Sequence, residues 1–232
     1  MNSVACTDII KTYHQGSITV NALKGINVSI KTGEFTAVAG PSGSGKTTLL
    51  NIIGGLDNAD SGSIVVSGHC FDKLNDSQLT ELRLKSIGFV FQAYNLIPVL
   101  SAIENVEYVM LLQGVPARER RQRSMAILDD VGLESKYNSR PAELSGGEQQ
   151  RVAVARAIVS NPLIVLADEP TANLDSETGR GLLEIMKRMN RERQVTFIFS
   201  THDNMVMNYA DRLVLMKDGQ IVDDQTKNDA LK

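Results

Sequence analysis

Several short constellations in this chain carry the residue types that handle phosphate and water. The run Gly40, Pro41, Ser42, Gly43, Ser44, Gly45, Lys46, Thr47 fits G-x-x-x-x-G-K-[ST]. Its glycines permit positive φ and let the backbone approach a ligand closely. Consecutive N–H groups in such a loop form an anion-binding nest, and a helix beginning at its end adds the positive end of a dipole. Lys46 brings a fixed positive charge to β and γ oxygens, and the Thr47 hydroxyl is a ligand for Mg2+. The apolar run Phe35–Ala39 precedes the loop and a helical pattern from Thr48 to Ile53 follows it. That is the strand–loop–helix order the chemistry requires. The motif alone specifies a nucleoside triphosphate, because kinases, GTPases and motors share it.

Downstream, Ile164-Val-Leu-Ala-Asp-Glu169 is an apolar run ending in two acids. Asp168, at the C-terminal end of a strand, can hold Mg2+ through water. Glu169 can reach the water that attacks a γ-phosphate, so the pair suits hydrolysis. His202 follows another apolar run, Val195–Ser200, and is placed beside the ligand crevice to bond the γ-phosphate. Gln92, after Ile87–Phe91, can ligate Mg2+ or position water, although a glutamine at a strand end is also common.

Leu144-Ser-Gly-Gly-Glu-Gln-Gln-Arg151 offers a second anion device. Ser145, Gly146 and Gly147 present N–H groups and a hydroxyl where a helix begins. The same residues also serve as an ordinary helix cap. One nucleotide and two phosphate-binding devices point to a head-to-tail pair, each chain capping the nucleotide held by the other.

These groups must be positioned by alternating strands and helices, the pattern of an α/β domain. Strand-like runs are Val4–Ile10, Ile26–Ile30, Phe35–Ala39, Ser63–Ser67, Ile87–Phe91, Ile164–Ala167, Val195–Ser200, Arg212–Met216 and Gln220–Val222. Phe35–Ala39, Ile164–Ala167 and Val195–Ser200 are nearly all apolar, which predicts central strands buried on both faces. Helical stretches are Lys46–Ile53, Asp76–Leu84, Ala102–Gln113, Ala117–Val131, Gly147–Val159, Ser176–Arg191 and Asp203–Tyr209. Residues from about 93 to 160 hold no strand-like run and read as an inserted helical subdomain. It opens on the apolar loop Asn95-Leu-Ile-Pro-Val-Leu, and its basic run Arg118-Glu-Arg-Arg-Gln-Arg123 reads as a solvated helix face.

With 232 residues, 42% hydrophobic and 22% charged, the chain is long enough for a full core. A net charge of −3 excludes general nucleic-acid or membrane-surface binding by charge. Cys6 and Cys70 lack metal-ligand spacing and read as reduced thiols. No signal peptide is evident, and no apolar run approaches the ~20 residues of a membrane span. Any link to a membrane runs through another protein.

On these motifs, in this order, the sequence resembles the ATP-binding subunit of ABC transporters across essentially its whole length. The resemblance implies a P-loop NTPase core of RecA-like build spanning 1–232, with the helical insert and a β-rich N-terminal edge. It implies ATP and Mg2+ as ligands, the cradle running from Gly40 to Thr48. Tyr13 would stack on the adenine. Ser145 and Gly147 would contact the partner's γ-phosphate, and Asp175 would touch the facing subunit. Gly54-Gly-Leu-Asp57, Phe91-Gln-Ala-Tyr-Asn-Leu-Ile-Pro98, Glu104-Asn-Val106 and Ala167-Asp-Glu-Pro-Thr-Ala-Asn-Leu-Asp175 look like the branch serving macrolide exporters and lipoprotein-release complexes. Ala172 departs from the glycine frequent there. The branch implies a homodimer at the cytoplasmic face of the cell membrane, peripheral, bound to an integral permease and driving export or extraction. A mechanical, cell-division-type subunit is the alternative. A translation factor or DNA-repair clamp would carry two nucleotide domains or a long coiled coil.

Overall fold

Three apolar runs too hydrophobic to face water on either side form the middle of the molecule. The computed structural model describes residues 2–16 and 18–227. Its strands are β1 (Asn2–Gln15), β2 (Ile18–Lys31), β3 (Phe35–Ala39), β4 (Ser61–Val66), β5 (His69–Cys70), β6 (Ile87–Val90), β7 (Ile164–Asp168), β8 (Thr196–Thr201), β9 (Arg212–Lys217) and β10 (Gln220–Thr226). Its helices are α1 (Lys46–Ile53), α2 (Asp76–Ser86), α3 (Ala102–Leu112), α4 (Ala117–Asp130), α5 (Gly146–Ile158), α6 (Ser176–Arg193) and α7 (Asn204–Tyr209).

A sheet in the order β10-β9-β3-β8-β7-β6 is parallel throughout except for the β9–β10 hairpin. Every residue of β3 and β8 is buried. Along β7, Ile164 and Leu166 enter one core while Val165 and Ala167 enter the other, the period-2 alternation of a strand covered on both faces. One core lies against α1 and a second, antiparallel sheet ordered β2-β1-β4-β5, the β-rich N-terminal edge. The other lies against α3, α4, α5 and α6. In α6, Leu182, Leu183, Met186 and Met189 form the buried stripe. Each such side chain contributes about 2 kcal/mol, against about 1 kcal/mol for a helix cap, so burial holds the helices down and caps set where they begin.

Between β6 and β7 only helices, a 3-10 turn at Pro141–Glu143 and loops occur. Buried Asn105 of α3 donates to the carbonyls of Ile97, Leu100 and Ser101 and accepts from Ile97 N–H, pinning the loop that enters this segment. The basic run of α4 is a solvated face: Arg121 pairs with Glu107 and Arg123 with Glu119.

Element ends differ from the sequence reading where burial gives no signal. β1 continues to Gln15 and β2 begins at Ile18, because a hairpin pairs Lys11 with Leu23 and Tyr13 with Val20. β5 is too short to leave a pattern. β6 stops at Val90, so Gln92 lies in the turn beyond it rather than at its end. α5 begins at Gly146, with Ser145 as its cap.

Gly88 of β6 shows how closely the layers pack, since a Cβ there would lie 2.2 Å from the Ala157 carbonyl oxygen of α5. Gly88→Ala must push that helix from the sheet. We expect a loss of about 2–3 kcal/mol in denaturant titration; unchanged stability would show that the two layers are not in contact.

Candidate nucleotide-binding site

The loop between β3 and α1 is shaped by close packing. Gly40 has φ +156, and a Cβ on it would lie 2.1 Å from the Met216 carbonyl oxygen. Gly45, the N-cap of α1, has φ +99, and its Cβ would lie 2.5 Å from the Ala22 carbonyl oxygen. The Lys46 ammonium reaches across the loop to the carbonyls of Gly40 at 2.8 Å and Pro41 at 2.9 Å. Ser44 Oγ is buried without a partner, a cost that a ligand oxygen would remove. Pro41, Ser42 and Gly43 are exposed along the rim. A cleft of about 280 Å3 is lined by Tyr13, Val20, Asn21, Ala22, Gly43, Gly45, Lys46, Thr47 and Thr48. A lysine and a glycine loop lining a cleft, with a buried unpartnered hydroxyl in the same loop and an aromatic ring at the wall, fit a nucleoside triphosphate.

The ends of β7 and β8 complete this floor, because register places Asp168 beside Ser200. Asp168 Oδ1 accepts from Thr47 Oγ1 at 2.9 Å and from Ser200 Oγ at 2.6 Å. Among the described residues no three His, Cys, Asp or Glu side chains gather to hold a metal. Thr47 and Asp168 therefore offer a partial oxygen shell, which fits Mg2+ completed by phosphate oxygens and water. Glu169 takes φ +46, and its N–H donates to the Ser200 carbonyl at 2.9 Å. Its carboxylate accepts from Thr201 Oγ1 at 3.3 Å and lies 2.7 Å from His202 Nδ1. Nδ1 carries the proton in such a contact, so a neutral His202 presents Nε2 as an acceptor.

The Ser145 turn lies elsewhere. Ser145 N–H donates to the Glu148 carboxylate at 2.8 Å, and its hydroxyl accepts from Glu148 N–H at 3.3 Å. The Ser145 N–H holds the Glu148 carboxyl below the usual range, and Lys136 at 3.1 Å adds to it. The first-turn N–H groups of Gly146 and Gly147 have no acceptor within their helix. A Cβ on Gly146 would meet Tyr94, and one on Gly147 would meet Thr178 at 2.4 Å. Thr178 in turn bonds Asp175, the cap of α6, and holds that carboxyl below its ordinary value. Neither this turn nor Asp175 lines the cleft of Tyr13 and Lys46.

Other links escaped sequence reasoning. Ser200 and Thr201 fix the two acids, but only strand adjacency reveals it. Gln150 of α5 donates to the carbonyls of Pro170 at 2.8 Å and Phe91 at 3.4 Å. Asn173 donates to the Gln92 carbonyl at 2.9 Å, while the Gln92 residue is exposed. Arg156 donates to the carbonyls of Tyr94 and Asn95, and burial lowers its pKa.

Residues 23–172 match the family model described as ABC transporter. The chain belongs to the ABC transporter family. It is 46% identical over 96% of its length to a macrolide export ATP-binding/permease protein of Brucella melitensis, of which it covers 34%. It is 44% identical to the lipoprotein-releasing system ATP-binding protein LolD of Saccharophagus degradans, over 94% of this chain and 98% of that one. The dimeric structure of a post-hydrolysis state of the ATP-binding cassette MJ0796 of Methanocaldococcus jannaschii, bound to ADP and Pi, has a TM-score of 0.89. It is 43% identical and covers 96% of this chain and 98% of that one. The P-loop NTPase fold and the branch inferred from the motifs agree with these likenesses.

Gly45→Ala places a Cβ against two neighbours in a backbone conformation that disfavours it. We expect a cost of about 2 kcal/mol or more and loss of ATP binding by calorimetry. Wild-type affinity would mean the cradle does not need this geometry.

Proposed function

We propose that the chain is the ATP-hydrolysing subunit of a transporter that pairs head-to-tail on ATP and drives a membrane permease in export or extraction. The observation that carries this is the separation of the Ser145 turn from the cleft of its own chain. A triphosphate cradle and a remote anion turn complete one site only when two copies meet. The chain covers about a third of its macrolide-export relatives, and the permease part of the activity is proposed on that likeness. No helix among the described residues is long and apolar enough to cross a membrane, which fits attachment to the membrane side through the permease.

In this reading Tyr13 stacks on the adenine, and Gly40 to Thr48 wrap the phosphates. Thr47 and Asp168 would hold Mg2+, which would supply positive charge against the phosphates, and Gln92 would reach the same place on closure. Lys46 gives up its carbonyl partners for β and γ oxygens. Glu169 orients and deprotonates the attacking water, and Thr201 keeps its carboxylate aimed. His202 must turn from Glu169, or become charged, to donate to the γ-phosphate. Ser145, Gly146 and Gly147 of the second copy cap that phosphate, and Asp175 borders the contact.

Residues 93–160 act as a helical subdomain that moves with the turn after Gln92. Arg156 and Gln150 tie α5 to that turn and to the strand end after Glu169, so movement at the phosphates reaches the surface. A groove of about 230 Å3 there is bordered by Phe89, Phe91, Asn95, Val109 and Arg156. Val99, Tyr108, Leu111 and Leu112 are exposed in the same segment and suit a permease contact. The buttressed Glu169 argues for turnover rather than a purely mechanical subunit.

Glu169→Gln should lower ATP turnover about 100-fold or more and elute as a dimer with ATP; a monomer hydrolysing at the normal rate would remove this role. Lys46→Ala should weaken ATP about tenfold or more, measured by calorimetry. Ser200→Ala should raise the Mg2+ needed for half-maximal turnover about tenfold, and no change would leave Ser200 structural. Pull-down from membranes should recover a permease rather than ribosomes or DNA.

A further inference from the structure

Lys11, Tyr13, Asp57 and Asp60 form a cluster at the rim of the cleft, outside the cradle. Tyr13 Oη donates to Asp57 Oδ2 at 2.6 Å, and Lys11 Nζ donates to Asp57 Oδ1 at 2.8 Å and to the Asn58 carbonyl at 2.7 Å. Asp60 lies 3.9 Å from the same ammonium and accepts from Thr12 N–H at 2.6 Å. The Lys11 side chain is only 11% exposed and that of Asp57 28%, so the pair is better shielded than an ordinary surface pair. Burial and the bond to Asp57 raise the Tyr13 pKa, which keeps the hydroxyl a donor. Burial pushes the Asp57 carboxyl up, but the bonds from Lys11, Tyr13 and Asn58 outweigh it and hold it below its ordinary value.

Two further facts give the cluster a direction. The Lys11 ammonium sits 5.1 Å from the Tyr13 ring centroid, covering one face, so a base can stack only on the other. Asp57 is also fixed to the helix of the cradle: the N–H groups of Leu56 and Asp57 donate to the Asn51 carbonyl at 2.8 and 3.3 Å. Tyr13 belongs to a strand of the outer sheet and Lys46 to the start of α1; Asp57 joins the two just past the end of that helix, and the Thr48 side chain bonds the same hydroxyl within its first turn.

We propose that Asp57 and Lys11 are positioning residues that brace Tyr13 against α1 and so set the distance between the base platform and the phosphate cradle. The brace acts on ATP affinity through the base and leaves phosphate chemistry alone. It rests on the reading of Tyr13 as the platform for adenine.

The test is the ATPase KM and kcat of Asp57→Ala, Tyr13→Phe, their double variant and Tyr13→Ala, with inorganic tripolyphosphate, which has no base, as a competitor. Asp57→Ala and Tyr13→Phe should each raise KM about three- to tenfold, with kcat within about twofold. The double variant should lose less than the two single effects together, because the Tyr13–Asp57 bond is common to both, while Tyr13→Phe also frees Thr48 and Asp57→Ala also frees Lys11. The inhibition constant of tripolyphosphate should not move. The brace is overturned if Asp57→Ala leaves KM unchanged, if its effect persists in full on Tyr13→Phe, or if tripolyphosphate weakens as much as ATP. A Tyr13→Ala variant with normal KM would instead remove the platform itself. Should Asp57→Ala not fold, Lys11→Met decides, since it removes the other bond to Asp57 and leaves the Tyr13 hydroxyl in place: a raised KM with unchanged tripolyphosphate inhibition supports the brace, and a normal KM overturns it.

Discussion

The Asp168 carboxylate joins three pieces of chain that sequence keeps far apart. One of its oxygens accepts both from Thr47, at the start of α1, and from Ser200, at the end of β8. Asp168 itself ends β7, so a single acceptor fixes the cradle, the acid pair and the histidine-bearing turn in one floor. The Gly40 N–H, donating to the Thr201 carbonyl at 3.3 Å, draws the same pieces together from the backbone side. Any displacement of β8 would therefore be felt at once by the phosphate loop, by Asp168 and by Glu169.

A second set of contacts runs through α5. α5 carries the Ser145 turn at its N-terminus, and farther along it Gln150 and Arg156 hold carbonyls of the turn after β6 and of Pro170. The helix therefore touches the second anion device, the strand end beyond Glu169 and the loop from Tyr94 to Asn95. Tyr94 and Asn95 hold φ of +61 and +49, a strained conformation kept in place by Arg156. In the proposed closure, rotation of α5 would release or reset that loop.

The sequence made the centre legible and the edges obscure, for physical reasons. β3, β7 and β8 are buried on both faces, so continuous apolar runs mark them within a residue or two. The cradle is legible because Gly40, Gly45, Lys46 and Thr47 have few substitutes at that geometry. In the outer hairpin of β1 and β2, residues 11 and 12 are half-buried and 13 and 14 exposed, so no alternation of burial marks this stretch. Ser200 reads as an ordinary strand residue and Thr201 falls just beyond the apolar run, because their partners are set by the neighbouring strand. In sequence Asp57 stands out only as part of a family-like stretch, since its bond to Tyr13 depends on how the loop after α1 folds back. The Ser145 turn was recognised as an anion device, yet its capping box with Glu148 also answers a local need, and sequence cannot separate the two roles.

The most direct measurement of the central claim is a high-resolution structure of the Glu169→Gln protein loaded with ATP and Mg2+. The account predicts two copies related head to tail, with Ser145 Oγ and the Gly147 N–H of one within about 3 Å of the γ-phosphate held by the cradle of the other. A nucleotide enclosed by one chain alone, with that turn remote from every phosphate, would contradict it.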